Sequence, residues 1–329
     1  MQVERWLCVL VVVLGSRLQG AEKPLPVSPL DPVAALAEFR LHPDFRIEIA
    51  AAEPEVVDPV AVRFDADGRM WVVEMGDYPN GPQPGMPPAS RVRWLEDTDG
   101  DGRYETSRIF AEGLLFATGV QPWQDGVLVT VAGEVVFLRD TDGDGRADER
   151  KRWYAGFKQE NPQLRANHPT FAMNNRVYVA NGLRGGVVTA VRPVDGSAAP
   201  KPVSVSGRDF RFDPHSGVYE AVNGNGQFGM TFDDFGNRFV CSNRNPCRHV
   251  VLESRHLNRY PRLAIGEVMH DVVTPGGVSH IFPVSRTWTT STLHEGQFTA
   301  ACGVTIYRGD RFGADFAGNV FICDPTGNL

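Results

Sequence analysis

Only five of the 329 residues are cysteine, and no two of them form C-x-x-C or C-x-x-C-H. That excludes a covalently attached c-type haem on this chain, and with it the common paired-thiol motifs for zinc or redox work. Cationic charge is not in excess either. The 33 Lys and Arg against 40 Asp and Glu leave a net charge of −7, which disfavours nucleic acid as a partner. Long hydrophobic runs are missing as well: the apolar stretch Leu7 to Leu14 holds eight residues, where a bilayer span needs about 20. With Arg5 before it and Gly20/Ala21 after it, this stretch reads as a secretory signal over residues 1–20, followed by a linker over 21–41. The protein is therefore expected to be secreted or periplasmic, with an uncleaved anchor and membrane association as the alternative. Export would place Cys241, Cys247, Cys302 and Cys323 where disulfides are permitted.

What is abundant is glycine and proline, 34 and 24 residues spread between short apolar runs, the pattern of many short strands and tight turns. One nonapeptide occurs almost twice. "WLEDTDGDGRYETSRIFAEGL" from Trp94 aligns with "FLRDTDGDGRADERKRWYAGF" from Phe137, a spacing of 43 residues within the range of four-stranded propeller blades. "FDADGRMWVVE" at Phe64 returns as "FDDFGNRFVCS" at Phe232. A turn followed by an apolar strand recurs near residues 68, 126, 175, 236 and 318. The expected fold is all-β, a six-bladed β-propeller of TolB- or NHL-like type over 42–329 with about five blades present. The chain's finish at "DPTGNL" predicts a further blade beyond it, since an open ring leaves sheet edges unpaired.

The repeat register places Cys241 and Cys323 where another module has Val73, so the cysteines read as packing residues; Cys241 to Cys247 is the local bridge to test. One residue on, the modules turn polar at Glu74, Asn181, Asn243 and Asp324. On radially equivalent strands these side chains would share one rim or tunnel. Strand-end capping by Asx side chains explains each of them equally well.

In D-x-D-G-D-G-x-x-[D/E], carboxylates fall at loop positions 1, 3, 5 and 9, with a glycine turn at 6 and a carbonyl at 7, the hard oxygen donors that Ca²⁺ takes. The ligands would be Asp97, Asp99, Asp101, the Arg103 carbonyl and Glu105 in the first loop, and Asp140, Asp142, Asp144, the Arg146 carbonyl and Asp148 in the second. Arg108 and Lys151 stand where an EF-hand has its last Glu, and no helical periodicity flanks either loop. Calcium loops between propeller strands are the expectation, similar to those of integrin α-subunits, against a solvated acidic turn. A site at tenfold its Kd would add about 1.4 kcal/mol.

The segments "NPQLRANHPTFAMNNRVYVANGLRGG" (161–186), "SGRDFRFDPHSGVYEAVNGNGQFGMTFDDFGNRFVCSNRNPCRHVVLE" (206–253) and "SRTWTTSTLHEGQFTAACGVTIYRGD" (285–310) closely resemble the membrane-bound dehydrogenases of planctomycete-type bacteria. Their propeller is similar to soluble quinoprotein glucose and sorbosone dehydrogenases. The resemblance implies oxidation of a sugar or alcohol hydroxyl with hydride passing to pyrroloquinoline quinone, PQQ, and a cytochrome c as electron acceptor. His168 is then the candidate general base and His294 the second candidate, a structural histidine being the plain alternative. Arg184, Arg208, Arg244 and Arg248 are the candidate partners of the cofactor's carboxylates, each also readable as a surface arginine.

Two other classes fit the sequence. A calcium-dependent lactonase-like hydrolase would hold its ion with Glu74, Asn181, Asn243 and Asp324 and polarise an ester carbonyl. A non-catalytic propeller would bind glycans or proteins.

Overall fold

A computed structural model describes residues 30–196, 199–273, 280–282 and 296–326. The chain divides into two units, Met1–Glu48 and Ile49–Leu329. In the first, helix α1 (Pro32–Glu38) lies inside the segment read as a linker. Asp31 caps it by accepting from the N–H groups of Val33 and Ala34, and Pro32 occupies the first turn, where no donor is needed. No helix among the described residues is long and apolar enough to cross a membrane.

The second unit is built of antiparallel meanders. Sheet one is β1 (Pro59–Phe64), β2 (Met70–Glu74), β3 (Ser90–Glu96) and β4 (Thr106–Leu114), in that order. Sheet two is β5 (Gly119–Trp123), β6 (Gly126–Val131), β7 (Glu134–Arg139) and β8 (Glu149–Phe157). Sheet three is β9 (Asn167–Phe171), β10 (Val177–Ala180), β13 (Asp209–Phe212) and β14 (Tyr219–Val222); the excursion between its second and third strands supplies β11 (Gly186–Ala190) and β12 (Val203–Ser204), which extend sheet two beyond β8. Sheet four is β15 (Met230–Phe232), β16 (Arg238–Ser242), β17 (Asn245–Val250) and β18 (Met269–Asp271), and a hairpin of β19 (Cys302–Ile306) and β20 (Val320–Cys323) follows.

All five turn-and-strand modules of the sequence fall at the same place, where the first strand of each sheet or hairpin turns into the second. The first strands also pack in succession, β1 on β5, β5 on β9, β9 on β15 and β15 on β19.

Period-two alternation divides the core into layers between successive sheets. On β6, Val127, Val129 and Val131 join Trp71, Val92, Trp94 and Phe110 of sheet one, while Leu128 joins the cluster shared with sheet three. On β10, Val177 and Val179 face sheet two, and Tyr178 and Ala180 pack with Met230, Phe232 and Val240 of sheet four. The next layer along contains Cys241, Cys247 and Val304. Cys241 is thus a packing residue, as its register predicts, and Cys247 packs beside it, whereas Cys323, given the same role by its register, is exposed and Cys302 is half-buried.

Buried polar side chains tie the sheets at their joints. Thr118 Oγ1, ahead of sheet two, donates to the Ala166 carbonyl ahead of sheet three at 2.7 Å. Asn167 donates to the Gln227 carbonyl at 2.6 Å and accepts from Gly229 N–H at 3.1 Å. Asp209 of sheet three pairs with Arg238 of sheet four at 2.8 Å, both fully buried. Burial pushes the Asp209 carboxyl up and Arg238 pulls against that shift, so losing either partner would strand a buried charge.

Candidate functional site

In a meander, the loops preceding first strands and those following second strands lie at one end of the sheet; first-to-second and third-to-fourth turns lie at the other. A cavity of about 700 Å³ sits at the former end. Its wall takes Asp58 and Val60 from the start of β1, Met75 and Tyr78 from beyond β2, and Gln163 from the approach to β9. Gln227 and Phe228 come from the approach to β15, Asn243 from beyond β16, Thr299, Ala300 and Cys302 from the start of β19, and Thr326 from beyond β20. The wall is built of amides, hydroxyls and apolar side chains; among the described residues it holds one carboxylate, Asp58, and no cation.

Hydrogen bonds preset this wall. Gln227 and Asn243 clasp each other, Nε2 donating to Oδ1 at 2.8 Å while the Asn243 N–H donates back to Oε1 at 3.0 Å. Gln163 Nε2 donates to the Tyr78 hydroxyl at 2.6 Å.

The rim residues Glu74, Asn181, Asn243 and Asp324 do occupy equivalent positions, at or just past the second strands. Each of them is engaged by the protein's own groups. Glu74 is 2 % exposed, and its oxygens accept from Arg91, from Arg93 at 2.9 Å and from the Val57 N–H at 2.6 Å. Asn181 is spent on backbone, donating to the Arg208 carbonyl and accepting from Leu183 N–H. Asp324 accepts from the N–H groups of Thr299 and Ala300 at 2.9 and 3.1 Å. These side chains position the wall from behind: Val57 leads into Asp58, and Thr299 and Ala300 are themselves lining.

His168 lies off the cavity, 7 % exposed on β9, with its ring edge-to-face against Phe228 and Nδ1 3.2 Å from Asn167 Oδ1. Burial, with a smaller contribution from Arg63, lowers its pKa to about 3. It is held neutral and is a weak base at neutral pH, where an efficient general base titrates. His294 lies outside the described residues.

None of the four arginines proposed for the cofactor lines the cavity. Arg208 is exposed and donates to the Ser204 carbonyl, Arg248 is paired with Glu267 and Asp271, and Arg184 and Arg244 are exposed. Periodicity did not single out Arg63. From β1 it reaches Thr170 Oγ1 of β9 at 3.3 Å, no carboxylate among the described residues lies within ion-pair distance, and burial lowers its pKa. The signal that would have found the cavity residues is the module register, applied to the segments before first strands as well as to the ends of second strands.

The acidic loops lie at the opposite end, between β3 and β4 and between β7 and β8. Asp97 accepts from Gly100 and Gly102 N–H, and Asp140 from Gly143 and Gly145 N–H. Thr98 bonds Glu105 through hydroxyl and N–H, as Thr141 bonds Asp148. These bonds hold the carboxyls of Glu105 and Asp148 below the usual range, and the N–H of Gly145 does the same for Asp140. Oxygens of Asp97, Asp99 and Glu105, and of Asp140, Asp142 and Asp144, come within 4.8 Å of one another in each set, close enough to share a cation.

Among solved structures, this chain is similar to the PQQ-bound aldose sugar dehydrogenase of Streptomyces coelicolor, at 12% identity over 85% of this chain and 78% of that one, with a TM-score of 0.43. It is also similar to the holo PQQ domain of pyranose dehydrogenase from Coprinopsis cinerea, at 13% identity, 59% and 44% coverage and a TM-score of 0.35. A family AA12 carbohydrate-active enzyme from Trichoderma reesei gives 12% identity, 59% and 45% coverage and a TM-score of 0.38. The matched region spans less than half the length of the two fungal structures. No curated protein matches the sequence. A family model does match, covering residues 31–329, and on that match the chain belongs to the family described as a domain of unknown function, DUF7133.

Proposed function

We propose that the chain is a propeller-like domain resembling quinoprotein-type oxidoreductases in fold, and that it takes a small polyhydroxylated molecule, a sugar or an alcohol, in the 700 Å³ cavity. The observation that carries this reading is the cavity's chemistry. Gln163, Gln227, Asn243, Thr299, Thr326 and Tyr78 offer both donors and acceptors beside the apolar faces of Val60, Met75 and Phe228, the mixture that matches hydroxyl-bearing carbon skeletons. The meanders are proposed to be successive blades of a six-bladed ring, supported by the run of neighbouring first strands.

PQQ would supply a hydride acceptor, but it carries three carboxylates, and the described lining holds an acid and no cation. The described residues therefore fit an uncharged polyol and do not fit the quinone. Calcium is proposed for the two acidic loops, whose clustered carboxylate oxygens suit it. Because they sit at the other end of the sheets, it would act there on stability.

Calorimetric titration of the full chain with a panel of sugars and alcohols tests the proposal, followed by dye reduction with calcium and PQQ added. Saturable binding, weakened about fivefold in Thr299→Val through loss of one hydrogen bond worth about 1 kcal/mol, is the expected result. Dye reduction places the reaction among oxidations, and binding without it leaves a ligand-binding domain. Absence of binding across the panel overturns the polyol reading.

A further inference from the structure

Register on the last hairpin brings two thiols together. Cys302 and Cys323 are direct partners across the antiparallel pair β19 and β20. Directly opposed residues on antiparallel strands have Cα atoms about 4.5–5.5 Å apart and side chains on one face, inside the range of about 4.4–6.8 Å that a disulfide spans. Their proximity also registers electrostatically, Cys323 being among the groups that influence the Cys302 thiol. The two differ in access: Cys323 is exposed, whereas Cys302 is half-buried in the cavity wall.

We propose that Cys302 and Cys323 form a cross-strand disulfide by exchange with a small-molecule disulfide, closing the hairpin that carries one wall of the cavity. The exposed Cys323 is the thiol that reacts first. Its thiolate attacks one sulfur of the oxidant, breaking that S–S bond and releasing one thiolate. The Cys302 sulfur, its proton passing to solvent, then displaces the second thiolate. Two protein S–H bonds and one oxidant S–S bond become one protein S–S bond and two small-molecule thiols.

The neighbouring pair provides the contrast within the same layer. Cys241 is fully buried and its thiol donates to the Phe228 carbonyl at 3.2 Å, and Cys247 is 2 % exposed. Burial pushes the Cys241 thiol up to about 12 and the Cys247 thiol up to about 11. Burial pushes the Cys302 thiol up to about 11 as well, so what separates the pairs is access: only the outer pair has an exposed thiol, Cys323, from which the exchange can begin. This assignment replaces the packing role that the module register gave Cys323, and it also moves the bridge away from Cys241 and Cys247.

The test equilibrates the reduced full chain with glutathione disulfide, blocks remaining thiols with an alkylating reagent and maps the peptides by mass spectrometry. A Cys302–Cys323 cross-linked peptide is expected, with Cys241 and Cys247 alkylated only after unfolding. In Cys302→Ser, the glutathione adduct should instead persist on Cys323, and the oxidised wild type should melt higher than the reduced one while Cys323→Ser shows no such shift. Alkylation of both Cys302 and Cys323 after excess oxidant, or a cross-link from Cys241 to either Cys247 or Cys302 in its place, overturns the proposal.

Discussion

The two acidic loops have nearly the same sequence and closely matching internal hydrogen bonds, yet they are seated differently. Loop 97–105 stays with its own sheet: Tyr104 donates its N–H to the Ala50 carbonyl and its hydroxyl to the Gly68 carbonyl. Loop 140–148 belongs to sheet two but leans onto sheet one. There the Trp94 indole donates to the Gly145 carbonyl at 3.1 Å, the Ala147 N–H donates to the Phe110 carbonyl at 2.7 Å, and Arg146 pairs with Glu112. A repeated motif therefore dictates a loop's internal bonding, while its neighbours decide whether that bonding also holds a joint between sheets.

The strongest way to break this comparison is to remove the seat. Trp94 is 8 % exposed, within the layer between the two sheets, so Trp94→Ala should cost about 3–5 kcal/mol. Tyr104→Ala, at the half-buried anchor of the first loop, should cost clearly less. Denaturant unfolding of both variants checks the order, and equal losses would mean that the second loop holds no joint.

Acid must be kept out of that measurement. His168 has its pKa lowered from 6.5 to about 3, by burial first and then by Arg63. An unfolded chain binds a proton there as pH falls below about 6.5, and the native state does not. Stability should therefore decline on acidification at up to about 1.4 kcal/mol per pH unit from this one group. The loop carboxylates, held low in the native state, lose their contribution only as pH falls through the carboxylate range and their lowered folded values. His168→Gln should flatten the stability curve between about pH 6 and 5 and leave the steeper acid limb. An unchanged slope would show that His168 is protonated in the folded protein.

A pair of alanines isolates the seating from the loop itself. Gly102 and Gly145 occupy the same loop position at φ +94° and +87°, where a side chain is strained. A Cβ on Gly102 meets nothing within 4 Å, whereas one on Gly145 comes within 3.3 Å of the Trp94 ring and 3.4 Å of Arg108. Both substitutions incur about 1–2 kcal/mol of left-handed backbone strain, and Gly145→Ala should cost about 1 kcal/mol more. Thermal melts resolve a difference of that size.

How far the sequence carried this far into the structure varies with the range of the contact. Turn glycines and period-two strands are local, so the five modules land on five equivalent turns, and Glu74, Asn181, Asn243 and Asp324 land on equivalent ends. Their partners are not local. Arg91 sits opposite Glu74 on β3, and only that pairing reveals a saturated carboxylate where the sequence offered a metal ligand. The β11 and β12 excursion was illegible for the same reason. It joins sheet two by a close backbone approach of Gly156 to Gly186, where an added Cβ would stand 2.1 Å from the Val187 carbonyl or 2.2 Å from that of Gly156. Many of the cavity residues come from segments before first strands, which share no motif, and the rest from loops beyond second strands.

Calcium gives the smallest expected effect and the sharpest contrast. Without metal, the carboxylates of each loop already accept backbone N–H bonds, so an ion would add to a preformed turn, raising Tm by a few degrees when calcium is well above its Kd. Asp97→Asn and Asp140→Asn should each remove part of the calcium-dependent rise. Because the loops share a sequence motif but not a seat, the difference should appear elsewhere: only Asp140→Asn should also speed hydrogen exchange at the Ala147 N–H, which crosses to Phe110. A calcium-dependent rise that survives both substitutions would remove the metal from the loops. Equal exchange in the two variants would leave the metal in place but show that it staples each loop only to itself.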